Sequence, residues 1–203
     1  MNSVSYAITT HNEGKSIESL LSVLNHHKRE CDEIIILDDC STDALTKNIL
    51  SRHSNVYTHK FNKNFAEHKN HLSSLCRCDY IFQLDGDELP SLSLCNFIRT
   101  ITEHGTDIDL FWIPRDNQLY DINMDYIKKM KWTVDQQNRI NYPDYQGRFF
   151  KNTPHITWIR PVHEIISGHT SQVILPKNSN IDILHHRHMD HQIRSNTFYD
   201  ENF

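Results

Sequence analysis

The chain has 203 residues, a formal charge of −5 and a hydrophobic share of 37%. This length suits one globular domain, and the composition is typical of a soluble protein. A net negative charge argues against binding to nucleic acid. No stretch is apolar for long enough to span a membrane, and the N-terminus lacks the pattern of a secretory signal. Together with five cysteines that show no disulfide spacing, these features predict a cytoplasmic protein.

Strands and helices alternate through the first half of the chain. Residues 16–24 place apolar side chains at the i, i+3, i+4, i+7 spacing of a helix. Residues 33–37 are mostly branched aliphatic, as in a strand buried on both faces. The predicted elements in chain order are strand 4–9, helix 16–24, strand 33–37, helix 44–52, strand 56–58, helix 65–75 and strand 79–84. This order predicts an α/β fold with a mostly parallel central sheet flanked by helices.

The second half is less regular. Residues 110–114 resemble a strand that Pro114 ends, residues 121–132 a helix, and residues 142–150 a turn followed by a strand. No repeat, low-complexity tract or clear linker interrupts the chain. We therefore expect one domain over residues 1–203.

Polar clusters follow three of the predicted strands, at Thr9–Asn12, Asp38–Asp39 and Asp85–Asp87. In doubly wound sheets the ligand site lies beyond the carboxyl ends of the strands. Right-handed crossovers bring those ends to one edge of the sheet. The sequence therefore predicts a single polar site built from these three clusters.

Two of the clusters have a chemistry that can be named. Asp85 and Asp87 flank a glycine and could hold a hard divalent cation, Mn²⁺ or Mg²⁺, which in turn would bind a nucleoside diphosphate; the alternative is a solvated turn. Asp38 and Asp39 could accept hydrogen bonds from a base or ribose, and capping of the next helix is an alternative or additional role. The chain has neither Gly-x-Gly-x-x-Gly after its first strand nor a phosphate loop ending in Gly-Lys-Ser/Thr. Bound phosphates would therefore depend on a metal.

These segments resemble family 2 glycosyltransferases of the GT-A fold. The resemblance covers the first half closely, through Val4–Glu13, Ile34–Asp43 and Tyr80–Glu88. Two positions depart from the family pattern: His11 stands where the family has tyrosine, and Cys40 replaces a glycine.

The resemblance implies a nucleotide-binding half over residues 1–90 and an acceptor-binding half over residues 91–203. Thr9, His11 and Asp39 would line the base pocket, and Lys69 would approach the ribose or diphosphate. The donor nucleotide contacts would be Thr9, His11, Asn12, Glu13, Asp38, Asp39, Lys69, Asp85 and Gly86. Asp87 would bind the metal directly, with Asp85 and His185 as further ligands.

The second half resembles small phage, viral or bacterial members of the family. The shared segments are Asp144-Tyr145-Gln146-x-Arg148, Trp158-x-x-x-Val162-His163-Glu164 and Leu184-His185-His186. Glu164 would act as the general base, with Asp144 as a second candidate. Trp158 and His163 would contact the acceptor. A salt bridge is the alternative for Glu164, core packing for Trp158, and a structural role for His185.

The predicted function is metal-dependent transfer of a sugar from a nucleotide sugar, on family grounds a UDP-sugar, to a hydroxyl of a carbohydrate or glycoconjugate, with inversion. One alternative is a metal-dependent hydrolase or nucleotidyltransferase, although the latter usually has a Gly-rich loop after its first strand. The other alternative is a non-catalytic module that binds a nucleotide sugar or carbohydrate.

Overall fold

A computed structural model describes residues 1–202 of the chain, in which helices flank a central sheet. The helices in this part are α1 (Lys15–His27), α2 (Ala44–Leu50), α3 (Phe65–Leu75), α4 (Leu92–His104), α5 (Met124–Lys129) and α6 (Met189–Asn202). The strands are β1 (Val4–Thr10), β2 (Glu33–Asp38), β3 (Val56–Thr58), β4 (Tyr80–Asp85), β5 (Glu88–Pro90), β6 (Leu110–Tyr120), β7 (Asp144–Lys151), β8 (Thr157–Ile159), β9 (Ile165–Ser167), β10 (Gln172–Ile174) and β11 (Ile183–His188). Among these residues, no helix is both long enough and apolar enough to cross a membrane.

The main sheet has the order β3-β2-β1-β4-β7-β6-β11-β5, and β10 also pairs with β6. Strands β1 to β4 are mutually parallel, whereas β7 is antiparallel to both β4 and β6. The chain moves outward from β1 to β3 and then returns to place β4 on the other side of β1. Such a reversal opens a crevice at the carboxyl ends of the two strands. Strands from both halves of the chain share this sheet.

Both faces of the sheet are buried, as the aliphatic strands predict. On β1, Tyr6 and Ile8 face the helices α1 and α4, while Ala7 faces α3. The apolar stripe of α1 contributes Leu20 and Leu24, each fully buried. Burial of such side chains contributes roughly 1.5–3 kcal/mol each. The strand ends that carry the polar clusters are therefore held by packing on two sides.

The elements of the second half differ most from the prediction. Strand β6 continues past Pro114 to Tyr120. Proline is tolerated there because it lies between the pairing of β10, which ends at Trp112, and that of β11, which begins at Arg115. The predicted helix over 121–132 is shorter: Asn123 caps α5, and Lys131 adopts a positive φ of 56° just beyond it. Strands β5 and β8 to β11 and helices α4 and α6 have no counterpart among the elements predicted from the sequence.

Candidate functional site

The crevice between β1 and β4 opens into a cavity of about 550 Å³. Nine residues singled out from the sequence line it: Thr9, His11, Glu13, Asp39, Lys69, Asp85, Gly86, Asp87 and Glu164. Five lining residues had no predicted role: Thr10, Phe61, Phe65, His68 and Arg187. The three polar clusters of the first half thus meet Glu164, which lies in the loop between β8 and β9.

One end of the cavity combines a carboxylate with aromatic side chains. The backbone N–H of Phe61 donates to Asp39 Oδ1 at 2.6 Å, and Asp39 N donates to Thr10 O at 2.9 Å. The rings of Phe61 and Phe65 lie 4.5 Å apart, with His68 beside them. Burial lowers the pKa of His68, so this ring is neutral near pH 7. A flat heterocycle could pack here within reach of the fixed Asp39 carboxylate.

The turn after β4 requires a glycine because it lies close to the end of β1. A Cβ atom on Gly86 would stand 2.9 Å from both Glu13 Cγ and Thr10 Oγ1. Gly86 N also donates to Thr9 O at 2.8 Å. This close approach positions Asp85 and Asp87 on either side of the turn.

Protein groups satisfy both carboxylate oxygens of Asp85. Thr9 Oγ1 donates to Oδ1 at 2.8 Å, Arg148 donates to Oδ2 at 2.7 Å, and Lys69 Nζ lies 3.8 Å from Oδ1. Burial by itself would raise the pKa of Asp85, but the charges of Arg148 and Lys69 outweigh it and hold this pKa well below its usual range. This arrangement favours an orienting role for Asp85 over the predicted role as a metal ligand.

A buried ion-pair network supports the turn from below. Arg148 is 2% exposed and also donates to Glu88 Oε1 at 2.8 Å, while Arg115 donates to the same oxygen at 2.9 Å. Glu88 Oε2 accepts the backbone N–H of Asp85 at 3.0 Å. Sequence reasoning gave Glu88 and Arg148 no role, although both lie in the motifs that carried the family resemblance.

Asp87 and His185, which the resemblance named as metal ligands, face each other. His185 Nε2 lies 3.3 Å from Asp87 Oδ2, and His185 Nδ1 lies 2.7 Å from Asn117 Oδ1. Since an amide oxygen only accepts, Nδ1 donates to Asn117, and Nε2 is the nitrogen that faces Asp87. A hydrogen bond of this kind orients histidines that bind metals.

The same Asp87 carboxylate pairs with Arg187. Burial by itself would raise the pKa of Asp87. The hydrogen bond from His185 and the charges of His185 and Arg187 outweigh burial and hold this pKa well below its usual range. Among the side chains that the structure describes, no group of three or more His, Cys, Asp or Glu is arranged to hold a metal ion. The carboxylate of Asp87 nonetheless suits Mg²⁺ or Mn²⁺, because such sites commonly use one or two carboxylates and take their remaining ligands from water and substrate phosphates. Asp87 and His185 would hold the ion, and Arg187 would then turn toward the phosphates.

Glu13 lies close enough to Asp87 and Arg187 for their charges to change its pKa. Burial, followed by the charge of Asp87, raises the pKa of Glu13 to about 8. Glu13 is therefore mostly protonated at neutral pH and could donate a hydrogen bond to a phosphate or sugar oxygen.

Glu164 is fixed by contacts from α3. Its Oε1 accepts from Lys69 Nζ at 2.6 Å, and Lys69 Nζ also lies 4.6 Å from the ring centre of Trp158. The Asn70 side chain exchanges two hydrogen bonds of 2.8 Å with the backbone of Trp158. Phe65 N donates to Pro161 O at 2.8 Å, inside the same loop. Helix α3 therefore connects the aromatic end of the cavity to the loop that carries Glu164.

Several predicted residues lie elsewhere. Trp158 is 6% exposed and packs on Phe150 in the core, which contradicts its predicted contact with an acceptor. His163 is exposed and outside the cavity lining, at a positive φ of 53°.

Asp144 pairs with Arg115 at 2.6 Å outside this cavity. Although burial opposes it, the charge of Arg115 keeps the pKa of Asp144 below its usual range, so Asp144 is the weaker candidate for a base.

Asn12 and Asp38 shape the loops beside the cavity. Asn12 Oδ1 accepts the backbone N–H groups of Thr42 and Asp43, and Asp38 accepts that of Ser41. These hydrogen bonds hold the loop before α2, whose N-cap is Asp43, and neither Asn12 nor Asp38 lines the cavity where the sequence predicted nucleotide contacts. Cys40 adopts a positive φ of 52°, which explains physically why glycine suits this position.

Comparisons with known proteins agree with this architecture. The family model described as Glycosyl transferase family 2 matches residues 5–160. The structure of S. aureus TarS 1–349 in complex with UDP-GlcNAc is 15% identical, covers 92% of this chain and 58% of its own, and has a TM-score of 0.57. The same protein in complex with UDP is 14% identical over 92% of this chain and 60% of its own, with a TM-score of 0.54.

These likenesses confirm the predicted fold. The chain spans about three fifths of the length of the solved TarS 1–349 chains that it matches. No curated protein sequence matches it significantly. Because the family model covers more than half of the chain, this protein belongs to glycosyl transferase family 2.

Proposed function

We propose that the protein transfers a sugar from a nucleotide-sugar donor, most simply a UDP-sugar, to a hydroxyl of a carbohydrate or glycoconjugate acceptor, with inversion. The observation that carries this proposal is the meeting of Asp39, Asp87 and Glu164 in one cavity of about 550 Å³. These carboxylates offer a contact for a base, a ligand for a cation and a proton acceptor.

The donor would lie along the carboxyl ends of β1 and β4. Its base would pack against Phe61 and Phe65 and donate a hydrogen bond to Asp39. Its ribose would lie near Thr9 and Asp85, whose orientation Arg148 fixes. The UDP and UDP-GlcNAc bound by TarS support a uridine carrier.

The diphosphate would lie at the opposite end of the cavity. Asp87 and His185 would hold Mn²⁺ or Mg²⁺, which would neutralise the charge that builds on the leaving diphosphate. Arg187 offers a further positive charge at this end of the cavity. This part of the site would stabilise the leaving group.

Glu164 would be the general base. It would take the proton of the acceptor hydroxyl as that oxygen bonds to the anomeric carbon. The bond from this carbon to the diphosphate breaks at the same time, and its electron pair leaves with the phosphate oxygen. Attack from the side opposite the leaving group inverts the configuration. Lys69 holds Glu164 in place at 2.6 Å and is therefore a positioning residue.

Thermal shift with a panel of nucleotide sugars, with and without Mn²⁺, tests donor and metal. A ligand at 100 times its Kd stabilises the folded state by about 2.7 kcal/mol, which corresponds to roughly 5–10 °C in Tm for a chain of this size. We expect a shift of this order with a UDP-sugar and Mn²⁺, and its loss with EDTA or in Asp87→Asn. An equal shift in Asp87→Asn and wild type would contradict the metal assignment.

Product analysis tests catalysis. Glu164→Gln should keep the donor-induced shift but lose transfer by about 10²–10⁴-fold, whereas the exposed Glu67→Gln on α3 should match wild type. Release of nucleoside diphosphate with an inverted product would support the proposal. Release of pyrophosphate would indicate nucleotidyl transfer, and donor binding without turnover on any acceptor would indicate a binding module.

A further inference from the structure

A second cavity of about 550 Å³ lies away from the donor site. It opens between the connection from β6 to β7 and the segment that precedes β11. Planar polar side chains line it: the carboxylates of Asp116, Asp135 and Asp182, the guanidinium of Arg139, and amides that include Gln137. Leu184 provides an apolar surface. The lining thus offers hydrogen-bond donors and acceptors side by side.

Internal contacts hold one wall of this second cavity in a fixed shape. Arg139 Nε donates to Asp135 Oδ2 at 2.7 Å, and the guanidinium stacks 3.5 Å from the ring centre of Tyr142. Tyr142 Oη donates to Asp182 Oδ1 at 2.8 Å and accepts the backbone N–H of Asn178 at 2.9 Å. A ligand would therefore meet polar groups that are already oriented, which lowers the entropy cost of binding.

Asp116 has unused capacity to accept hydrogen bonds. Its Oδ2 accepts from Gln118 at 3.2 Å, whereas its buried Oδ1 has no partner within the described part of the chain. Burial raises the pKa of this carboxyl. Buried polar atoms without a partner are uncommon in native proteins. Because Oδ1 is closed off from solvent, a ligand hydroxyl would supply the missing bond only after a rotation of the carboxylate toward the cavity.

The charge of the lining restricts the class of ligand. Three carboxylates against one guanidinium disfavour phosphates, nucleotides and acidic sugars. Asp135 is already paired with Arg139 at 2.7 Å, and Asp182 already accepts from Tyr142 at 2.8 Å. These two carboxylates are therefore engaged within the protein rather than with a cationic ligand. A neutral polyhydroxylated molecule avoids both restrictions, because each hydroxyl can donate to a carboxylate and accept from Arg139 or an amide.

The second cavity is connected to the donor site along β11. Leu184 also lines a smaller cavity of about 170 Å³ that contains Asp87. His185, the next residue, contacts Asp87 directly. The side chains of Asp182, Leu184 and His186 alternate with that of His185, which points to the opposite face of the strand. Asp182 and His186 are four residues apart, about 13 Å if extended. A short oligosaccharide could span this distance.

From these observations we propose that the second cavity binds a neutral sugar unit of the acceptor, remote from the unit that receives the transferred sugar. The proposal rests on the proposed glycosyl transfer. It predicts that a saccharide of several units is bound more tightly than a monosaccharide.

Titration of ¹⁵N-labelled protein, followed by NMR, tests this site without relying on activity. The probes are glucose, mannose, galactose, N-acetylglucosamine and their oligomers of up to four units, with glucuronate as the anionic probe. We expect a neutral oligosaccharide to shift the backbone signals of Gln137 and Asn178, and glucuronate to leave them unchanged. No shift with any neutral saccharide, or tighter binding of glucuronate, would overturn the proposal.

Two variants and a matched control complete the test. Asp116→Ala should weaken saccharide binding at least fivefold, while Asp125→Ala, an exposed carboxylate on α5, should not. If Asp116→Ala does not fold, the exposed Gln137→Ala should show the same loss. Equal affinity in variants and control would refute the site. A separate titration with UDP and Mn²⁺ follows the backbone signal of Thr9 and reports on the donor cavity. A failure of the proposed function is therefore distinguished from a failure of the second cavity to bind saccharide.

Discussion

Replacing the buried Arg148 by methionine should destabilise the protein, because this guanidinium joins the Asp85 turn to Glu88. It donates to Asp85 at 2.7 Å and to Glu88 at 2.8 Å. Removing one partner of a buried ion pair typically costs about 3–5 kcal/mol. We expect the lower end, because Arg115 remains on Glu88 and Lys69 near Asp85. In addition, Nε and Nη1 of Arg148 find no acceptor in the part of the chain that the structure describes.

Urea unfolding measures this loss, as a lower midpoint with an unchanged m-value. A loss of about 3 kcal/mol corresponds to roughly 6–12 °C in Tm. The control is Lys151→Met, which breaks a partly exposed pair with Asp109 at 3.1 Å and should cost less than about 1 kcal/mol. If Arg148→Met costs no more than Lys151→Met, the network does not support the site as we describe it.

The deficit should depend on pH with a defined sign. The pKa of Asp85 is depressed in the folded protein, so its pairing stabilises the protein above the unfolded pKa, near 3.8, and is lost as the pH falls through the folded value. Wild type and Arg148→Met should therefore converge in stability as the pH falls below about 4. A deficit that grows on acidification would contradict this assignment.

Two further substitutions test the frame around Glu164. Gly168→Ala should destabilise the protein strongly, because Gly168 has a φ of +89° and the added Cβ would lie 1.8 Å from His155 O. The control is Gly105→Ala, which has a similar φ of +83° but whose added Cβ meets nothing within 4 Å. A similar loss of Tm in both variants would refute the clash. Asn70→Ala should remove the two hydrogen bonds that hold the loop at Trp158. We expect it to lower kcat more than it raises the KM for the donor, and to leave the donor-induced thermal shift nearly unchanged. An unchanged kcat would exclude a positioning role for Asn70.

The alternation of elements in the first half follows directly from local sequence. The aliphatic run in β2 and the periodic leucines of α1 can bury their apolar surface in only a few ways, so length and period suffice to predict them. Because parallel strands end at one edge, Thr9, Asp39 and Asp87 could be assigned to one site without coordinates. Helix ends were less certain, since capping and positive-φ residues decide them.

The second half could not be predicted in the same way because its contacts join distant residues. Arg148 meets Glu88 across 60 positions, and Lys69 meets Glu164 across 95. No local period encodes such a pair. The burial of Trp158, likewise, depends on β8 packing against α3.

The sequence by itself determined the family, the type of sheet and the edge at which polar residues gather. Only the tertiary structure decided what each carboxylate contacts there: it occupies both oxygens of Asp85, ties Asp144 to Arg115, and places Asp87 between His185 and Arg187. The physical reason is that an ionisable side chain takes its role from the charges and hydrogen-bond donors around it, and the fold brings these from distant parts of the chain.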